Sequence, residues 1–203
     1  MRKFFERLEG MGSMKKFLTF IFILAFSFPV SAQEQTKRPP RTTPNSNTPR
    51  AATPGDTWSE FTSHEGRFSI LMPGVPEEST KTVDSQPGPY TTHLFVFRSQ
   101  KNVYLVGWVD YDPRFDFNGQ TELEANRDNF VKNLKATLIS NRALKIDGYQ
   151  AIEFTAETPQ RTFRSRVYMV GRRPYQIVIG SPKGVDDSEN VYKFFNSFKV
   201  SAS

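Results

Sequence analysis

The sequence contains no cysteine, and this absence excludes several kinds of site. Disulfides, lipid-anchored cysteines, thiolate metal ligands and cysteine nucleophiles are all ruled out. Histidine is almost as scarce, with only His64 and His93. Two histidines without cysteine cannot close a zinc site unless several carboxylates join them. The fold must therefore be stabilised by its apolar core, and imidazole chemistry is limited to two positions.

The larger, C-terminal part of the chain also lacks a net charge. The formal charge of +6 arises before residue 56, because residues 1–32 carry five Lys/Arg against two Asp/Glu and residues 33–55 carry four against one. Residues 56–203 carry eighteen of each sign. A domain that binds nucleic acid is expected to have a basic footprint of its own. We therefore expect no nucleic-acid partner.

Residues 14–33 have the pattern of a secretory signal peptide. Two lysines form a positive start, residues 17–30 an apolar run, and Ala32 ends a small-residue cleavage pattern. A retained anchor is the alternative, but a spanning helix needs about 20 apolar residues, more than this run supplies. We expect Met14 to be the true start and cleavage to occur before Gln33. The mature chain would then lie in a periplasm or outside the cell, with no membrane span.

Residues 33–56 are predicted to be a disordered Pro/Thr-rich linker. The segment has five prolines and no aromatic or branched aliphatic side chain, so it cannot bury enough apolar surface to become ordered. The simplest interpretation is a tether between the signal peptide, residues 1–32, and the domain. The alternative is that its four basic residues contact an anionic wall or membrane surface.

Residues 57–203 are interpreted as one α+β globular domain. Runs at 90–98 and 103–111 are apolar on consecutive residues, which predicts central strands covered on both faces. The runs at 104–109 and 175–180 are apolar on both sides, which favours helices on opposite faces of one sheet. Apolar residues at helical spacing predict helices at 121–138 and 188–198. Shorter alternating runs between Gly/Pro turns predict further strands. We therefore predict a single mostly antiparallel sheet with helices on both faces, an α/β/α sandwich.

Local signals set the expected ends of two elements. Thr121 and Glu124 have the spacing of a capping box, which predicts the start of the first helix. The dipeptide Asp147-Gly148 predicts the turn of a β-hairpin. The first helix is expected to bury a stripe formed by Leu123, Phe130, Val131, Leu134 and Leu138.

Six segments of the sequence combine turn residues with apolar and aromatic positions: GRFSILMPGVP, VGWVDYDP, LEANRDNFVKNL, DGYQAIEF, RVYMVGRRPYQI and YKFFNSFKV. Together they resemble the Mog1/PsbP-like fold family. The resemblance extends over residues 58–200, and the nearest match is the bacterial secreted branch, which is mostly uncharacterised. It implies an α/β/α sandwich and a non-enzymatic adaptor or accessory module, in a family whose members serve partners as different as a small GTPase and photosystem II. It implies no particular partner here.

A basic stripe is the first candidate binding site. Strand alternation places Arg164, Arg166 and Tyr168 on one face of a predicted strand. Exposed, such a stripe could bind a carboxylate, a sulfated glycan or an acidic loop of a partner. It could instead pair with Glu153 and Glu157 on the neighbouring strand, and this is the interpretation that we favour.

An acidic cluster is the second candidate. Asp110, Asp112 and Asp116 follow one apolar strand, and carboxylates of this kind bind hard cations such as calcium. Their spacing lacks the Asp/Asn-Gly and the terminal Glu of a calcium loop. The simpler interpretation is a polar strand end with turn-forming carboxylates.

Neither histidine is expected to act as a catalytic base. His64 lies in a predicted turn and should be exposed. His93 lies in an aromatic strand, where a partly buried, locally hydrogen-bonded imidazole is expected. No Gly-x-Ser-x-Gly nucleophile elbow accompanies them.

The sequence predicts an exported, non-catalytic interaction or accessory domain with no cofactor and no metal. Its expected partner is an envelope or secreted protein. The alternative is a periplasmic or extracellular binding protein for a small ligand, glycan or cation, using the Asp110–Asp116 loop or the Arg164/Arg166 face. A third possibility is a hydrolase that uses carboxylates alone, which requires two Asp/Glu facing each other in a cleft.

Overall fold

The computed structural model describes residues 57–86 and 88–201. The predicted signal peptide and linker lie outside these residues. In chain order, the elements are β1 (Ser59–Ser63), β2 (Phe68–Met72), β3 (Glu77–Val83), β4 (Tyr90–Arg98), β5 (Val103–Tyr111), α1 (Gly119–Asn133), β6 (Thr137–Ile146), β7 (Tyr149–Glu157), β8 (Arg161–Val170), β9 (Arg173–Pro182), α2 (Ser188–Asn196) and β10 (Lys199–Val200).

The predicted fold class, a single sheet between helices in an α/β/α sandwich, is wrong. The protein is mostly β, with 53% of the described residues in strands and 17% in helices. The strands form two antiparallel sheets, of three strands in the order β1-β2-β10 and of seven in the order β3-β4-β5-β9-β8-β7-β6. Short runs such as those of β1 and β2 do not reveal which sheet they join. That long-range pairing is what separates the two architectures.

β5 and β9 lie side by side in the middle of the seven-stranded sheet. Their register runs from Val103 opposite Gly180 to Trp108 opposite Tyr175. Alternate side chains enter two different cores, with Leu105 on one face of the sheet and Trp108 on the other. The prediction that the runs at 90–98 and 103–111 are central strands covered on both faces is confirmed for β5, in which seven of nine residues are buried. β4 lies next to the edge strand β3 and has four buried residues of nine, whereas β9 is buried along most of its length.

α1 covers one face of this sheet, where it contacts β7 and β8. The side chain of Asn118 accepts a hydrogen bond from the backbone N–H of Thr121 at 3.0 Å, and this cap starts the helix at Gly119, before the predicted capping box. Leu123 and Phe130 of the predicted stripe are buried against the sheet. Phe130 packs edge to face on Phe154 and Phe163 of the sheet.

The predicted end of α1 is wrong. Lys135 adopts a left-handed φ of 50°, which stops the helix after Asn133. Leu134 therefore becomes the C-cap residue and Leu138 belongs to β6, where it is 40% exposed. Helical spacing alone does not distinguish a continuing helix from a following strand that has an apolar residue near its start.

The three-stranded sheet and α2 cover the other face of the large sheet. The backbone N–H of Leu71 in β2 donates to Ser197 Oγ at 2.9 Å, and Lys199 of β10 pairs with Ser69 of β2. These contacts hold a second, aromatic core. Its fully buried members include Phe68, Ile70, Met72, Trp108, Tyr175, Ile177 and Phe194.

The hairpin of β6 and β7 forms the outer end of the large sheet. Asp147 and Gly148 have φ values of 51° and 85°, and the hairpin predicted at this dipeptide is confirmed. Only Leu144 and Ile146 of β6 are partly buried, and a register shift between Leu138 and Ser140 marks a bulge. Within residues 57–86 and 88–201, neither helix has the length and apolar character needed to cross a membrane.

Candidate functional site

Three neighbouring strands carry a row of charged side chains beside α2. The register places Arg142 of β6 opposite Glu153 of β7, and Glu153 opposite Arg166 of β8. Glu153 bridges the two arginines, with Arg142 Nη2 at 2.5 Å from its Oε1 and Arg166 Nη2 at 2.6 Å from its Oε2. Arg164 is the next residue on the same face of β8. We call Arg142, Glu153, Arg164 and Arg166 the arginine face.

Arg166 is held on three sides. Its Nε and Nη2 donate to Glu153 Oε2 at 2.9 and 2.6 Å, and its Nη1 donates to the Tyr168 hydroxyl at 3.2 Å. Its guanidinium carbon lies 4.9 Å from the centre of the Phe195 ring in α2. Because these contacts leave the side chain only 12% exposed, Arg166 positions Glu153 and offers little of itself to a partner.

Tyr168 is buried as well. Its ring lies 5.0 Å from that of Phe198, and 4% of the residue is exposed. The less favoured alternative, in which Arg166 and Tyr168 form an exposed stripe, is therefore wrong, because α2 and the residues after it cover them. The alternative that we favoured, cross-strand pairing with Glu153, is confirmed for Arg166.

The charge of the arginine face is fixed by Glu153. Burial of this carboxylate raises its pKa, but the hydrogen bonds from Arg166 and Arg142 reverse the effect, and the pKa lies below its ordinary value. Glu153 is therefore ionised at neutral pH and balances one of the three arginines. Among these four side chains, three arginines thus face one carboxylate, and the carboxylates of Glu157 and Asp186 lie within reach of the charge of Arg164.

Arg164 is half-buried and is not paired in the way Arg166 is. Hydrogen bonds from Lys183 and Thr162 lower the pKa of Glu157, and the charge of Arg164 adds a smaller contribution. The pKa of Asp186 is lowered mainly by hydrogen bonds from Ser188, and again only in part by Arg164. Arg164 thus acts on both carboxylates through its charge, while other groups donate their hydrogen bonds.

Asp110, the first of the predicted acidic cluster, binds protein groups. Arg173 Nε donates to its Oδ1 at 2.6 Å, and Trp108 Nε1 donates to its Oδ2 at 3.0 Å. Arg173 Nη1 also donates to the backbone carbonyl of Glu65 at 3.1 Å. Asp110 therefore ties β5 to β9 and, through Arg173, to the turn between β1 and β2.

His93 joins the same cluster from β4. Its ring stacks on Trp108 at 4.3 Å with an interplanar angle of 4°, and its Nε2 lies 3.5 Å from Asp110 Oδ2. Its Nδ1 lies 3.3 Å from Thr80 Oγ1. The interpretation of His93 as a buried, locally hydrogen-bonded histidine is confirmed, and His64 is exposed in its turn as predicted.

The other two acidic candidates do not converge with Asp110. Asp112 accepts hydrogen bonds from the side chain and the backbone N–H of Arg114, which lower its pKa to about 2, as expected of a turn-forming carboxylate. Asp116 is exposed. In the part of the chain that the structure describes, no group of three or more His, Asp or Glu side chains is placed to hold a metal ion.

Sequence reasoning missed Arg142 and the contact between Asp110 and Arg173. A signal for Arg142 is present, because a two-residue turn that pairs Ile146 with Tyr149 also pairs Arg142 with Glu153. The Asp110 contact has no local signal, since it depends on the long-range pairing of β5 with β9.

Comparisons with known proteins give a structural match alone. No family model and no curated protein matches the chain. Its structure is similar to the solution structure of cyanobacterial PsbP (CyanoP) from Synechocystis sp. PCC 6803, with 12% sequence identity and a TM-score of 0.47 over 71% of this chain and 93% of that chain. The match agrees with the PsbP-like resemblance of the sequence. At this TM-score it carries no argument, so the function is inferred from the arginine face itself.

Proposed function

We propose that this chain is an exported, non-catalytic interaction domain that binds an acidic surface of an envelope or secreted protein through the arginine face. The observation that carries the proposal is the excess of arginine on an open part of the sheet. The Arg142 side chain is 64% exposed, Arg164 is half-buried, and Glu153 is the carboxylate shared by Arg142 and Arg166.

The shared carboxylate also favours binding by reducing its entropic cost. A free surface arginine loses about 2 kcal/mol of side-chain entropy when a partner fixes it. Arg142 is already held by two hydrogen bonds to Glu153 Oε1, at 3.1 and 2.5 Å, and Glu153 is held in turn by Arg166. Its remaining N–H groups are therefore oriented before a carboxylate arrives, and arginine binds carboxylates in a planar, two-pronged geometry.

The export part of the proposal rests on residues 14–33, with their lysines, apolar run and small-residue cleavage pattern. The Pro/Thr-rich linker after them would tether the domain. N-terminal sequencing of the protein recovered from the periplasm or the medium should begin at Gln33. An uncleaved chain that stays in the cytoplasm would contradict export.

In-cell crosslinking followed by mass spectrometry tests the binding part. The tagged protein is compared with Arg164→Ala, Arg142→Ala and the control Arg98→Ala. Arg98 is also a partly exposed arginine with a carboxylate partner, Glu77 at 3.2 Å, but it lies at the end of β4. Arg166 is left intact because α2 packs on it.

We expect a reproducible acidic partner that both arginine-face variants lose and Arg98→Ala keeps. Circular dichroism and thermal unfolding must show that all three variants are folded. A partner captured equally by every variant would place the interface elsewhere. Capture of nothing above background by an abundant, folded protein would also overturn the proposal.

A further inference from the structure

β6 is a long edge strand that is open on one side. It is the last strand of the seven-stranded sheet and pairs with β7 alone among the described residues. Eight of its ten residues are exposed, and they include Leu138 and Ile139 at 40% and 55%. An unpaired strand edge is a template for another strand, and natural proteins usually guard it with charges, bulges or short length.

The two edge strands of the sheet differ in the features that hinder pairing with a further strand. β3, at the other edge, carries the exposed charges of Glu77, Glu78 and Lys81 over seven residues. In β6, Arg142 is drawn to Glu153 of the adjacent strand, and the bulge interrupts only the first part of the strand. Residues 140–146 remain as a straight segment whose one other charge is Lys145.

We propose that β6 pairs antiparallel with β6 of a second copy of this chain, so that two domains share one continuous sheet. A two-fold axis perpendicular to a sheet requires facing residues to lie on the same face of it. An axis through Ala143 meets this condition and pairs the whole straight segment 140–146. It sets Arg142 opposite Leu144, Asn141 opposite Lys145 and Ser140 opposite Ile146.

This register makes β6 complementary to itself. No like charges face each other, and the small side chain of Ala143 lies at the axis. An axis through Arg142 would oppose two arginines, and one through Asn141 would bring the bulge at Ile139 into the pairing. Because the axis keeps the faces of the sheet, the two arginine faces would lie on the same side of the dimer.

Charge variants at one exposed position test both the edge and the register. In the proposed dimer Asn141 faces Lys145 twice, once on each side of the axis. Asn141→Lys therefore creates two like-charge pairs and should weaken the dimer by about fivefold or more, whereas Asn141→Glu creates two opposite-charge pairs and should tighten it by a similar factor. Ser79→Lys, at the exposed edge β3, should change nothing.

Sedimentation velocity over a series of protein concentrations measures the monomer–dimer equilibrium. The sample is the full protein purified from the cells that express it. A dimer that responds to the two Asn141 variants in opposite directions, and not to Ser79→Lys, supports the proposal. A protein that stays monomeric at the highest concentration overturns it, and so does a dimer that is indifferent to position 141. A monomer whose edge instead captures a strand of another protein would also overturn the assignment of a second copy.

A crosslink provides an independent readout. Because the sequence contains no cysteine, Ala143→Cys introduces a single thiol that meets its counterpart at the proposed axis. A short bis-maleimide should join two copies of Ala143→Cys and leave Ser79→Cys monomeric. Equal crosslinking at both positions would indicate random collision and contradict the proposal.

Discussion

The middle of the large sheet and its outer edge are built from strands of nearly equal length, yet they are used in opposite ways. In β5, seven of nine residues are buried, whereas in β6 eight of ten are exposed. Stability comes from the middle strands, which have a core on both faces. The outer strands need only hold their register, so they can carry charges and open backbone groups.

The largest expected effect comes from the middle of the sheet. Trp108 is 1% exposed, stacks on His93 and packs against Phe68, so Trp108→Ala should lower the free energy of unfolding by about 3–5 kcal/mol. Ile139→Ala in the bulge of β6, where the side chain is 55% exposed, should cost less than about 1 kcal/mol. Urea unfolding of both variants measures the difference. Equal losses would remove the distinction between the two regions.

The next largest effect is expected at the ion pairs of Glu153, which join the covered β8 to the exposed edge strand β6. Arg166→Ala removes a covered arginine and leaves Glu153 without one of its two partners, which should cost about 2–3 kcal/mol. Arg142→Ala removes the exposed partner of the same carboxylate and should cost about 1 kcal/mol or less. Unfolding of each variant, with Glu153→Ala to complete double-mutant cycles, checks the order. If Arg142→Ala lowered the free energy of unfolding more than Arg166→Ala, solvent exposure would not determine how much each ion pair stabilises the fold.

A smaller effect is expected from the backbone of the outer hairpin. Gly148 has a φ of 85° and no atom within 4 Å of an added Cβ, so Gly148→Ala strains the backbone without a clash. It should cost about 1 kcal/mol in thermal or chemical unfolding. Asp147→Asn is the control, since asparagine tolerates the left-handed φ of 51° found there. A neutral Gly148→Ala would show that the hairpin relaxes freely.

The smallest effect depends on pH and concerns Glu122 of α1, the helix that covers one face of the large sheet. Burial raises the pKa of Glu122 in α1 above its ordinary value of 4.5, although the hydroxyl of Tyr111 donates a hydrogen bond to its carboxyl. The folded state therefore favours the protonated acid, and the wild type should lose stability as pH rises above 4.5 and through the folded pKa. Glu122→Gln lacks this loss, so its advantage should grow with pH. Unfolding midpoints that differ by a constant amount from about pH 3 to 7 would contradict the shift.

Those parts of the fold that depend on neighbouring residues could be predicted from the sequence. Asp147-Gly148 indicates a hairpin, and its register even pairs Arg142 with Glu153. The apolar run of β5 indicates a central strand because a buried strand needs apolar residues on both faces. Alternation also assigns Arg166 and Phe163 to opposite faces of β8, as the two cores show.

The parts that depend on distant pairing could not be predicted. Nothing in β1 and β2 indicates that their hairpin lies in a sheet of its own, and nothing in the two residues of β10 indicates that they join β2. The same holds for the candidate site. Strand alternation gives the face of Arg166 and Tyr168, but their burial depends on where α2 returns, and Arg173 reaches Asp110 only because β5 and β9 become neighbours.

The layer of β2, α2 and β10 also joins the two ends of the domain, so the fold cannot be completed before the last residues of the chain are present. Leu71 and Ser197, whose hydrogen bond closes the layer, are 126 residues apart. A ribosome that has reached residue 187 has made every strand of the large sheet, while Phe68 and Trp108 still await the rings of Phe194 and Phe198. A chain without its last helix therefore exposes an aromatic surface, and exposed apolar surface of this kind makes a partly folded chain prone to aggregate.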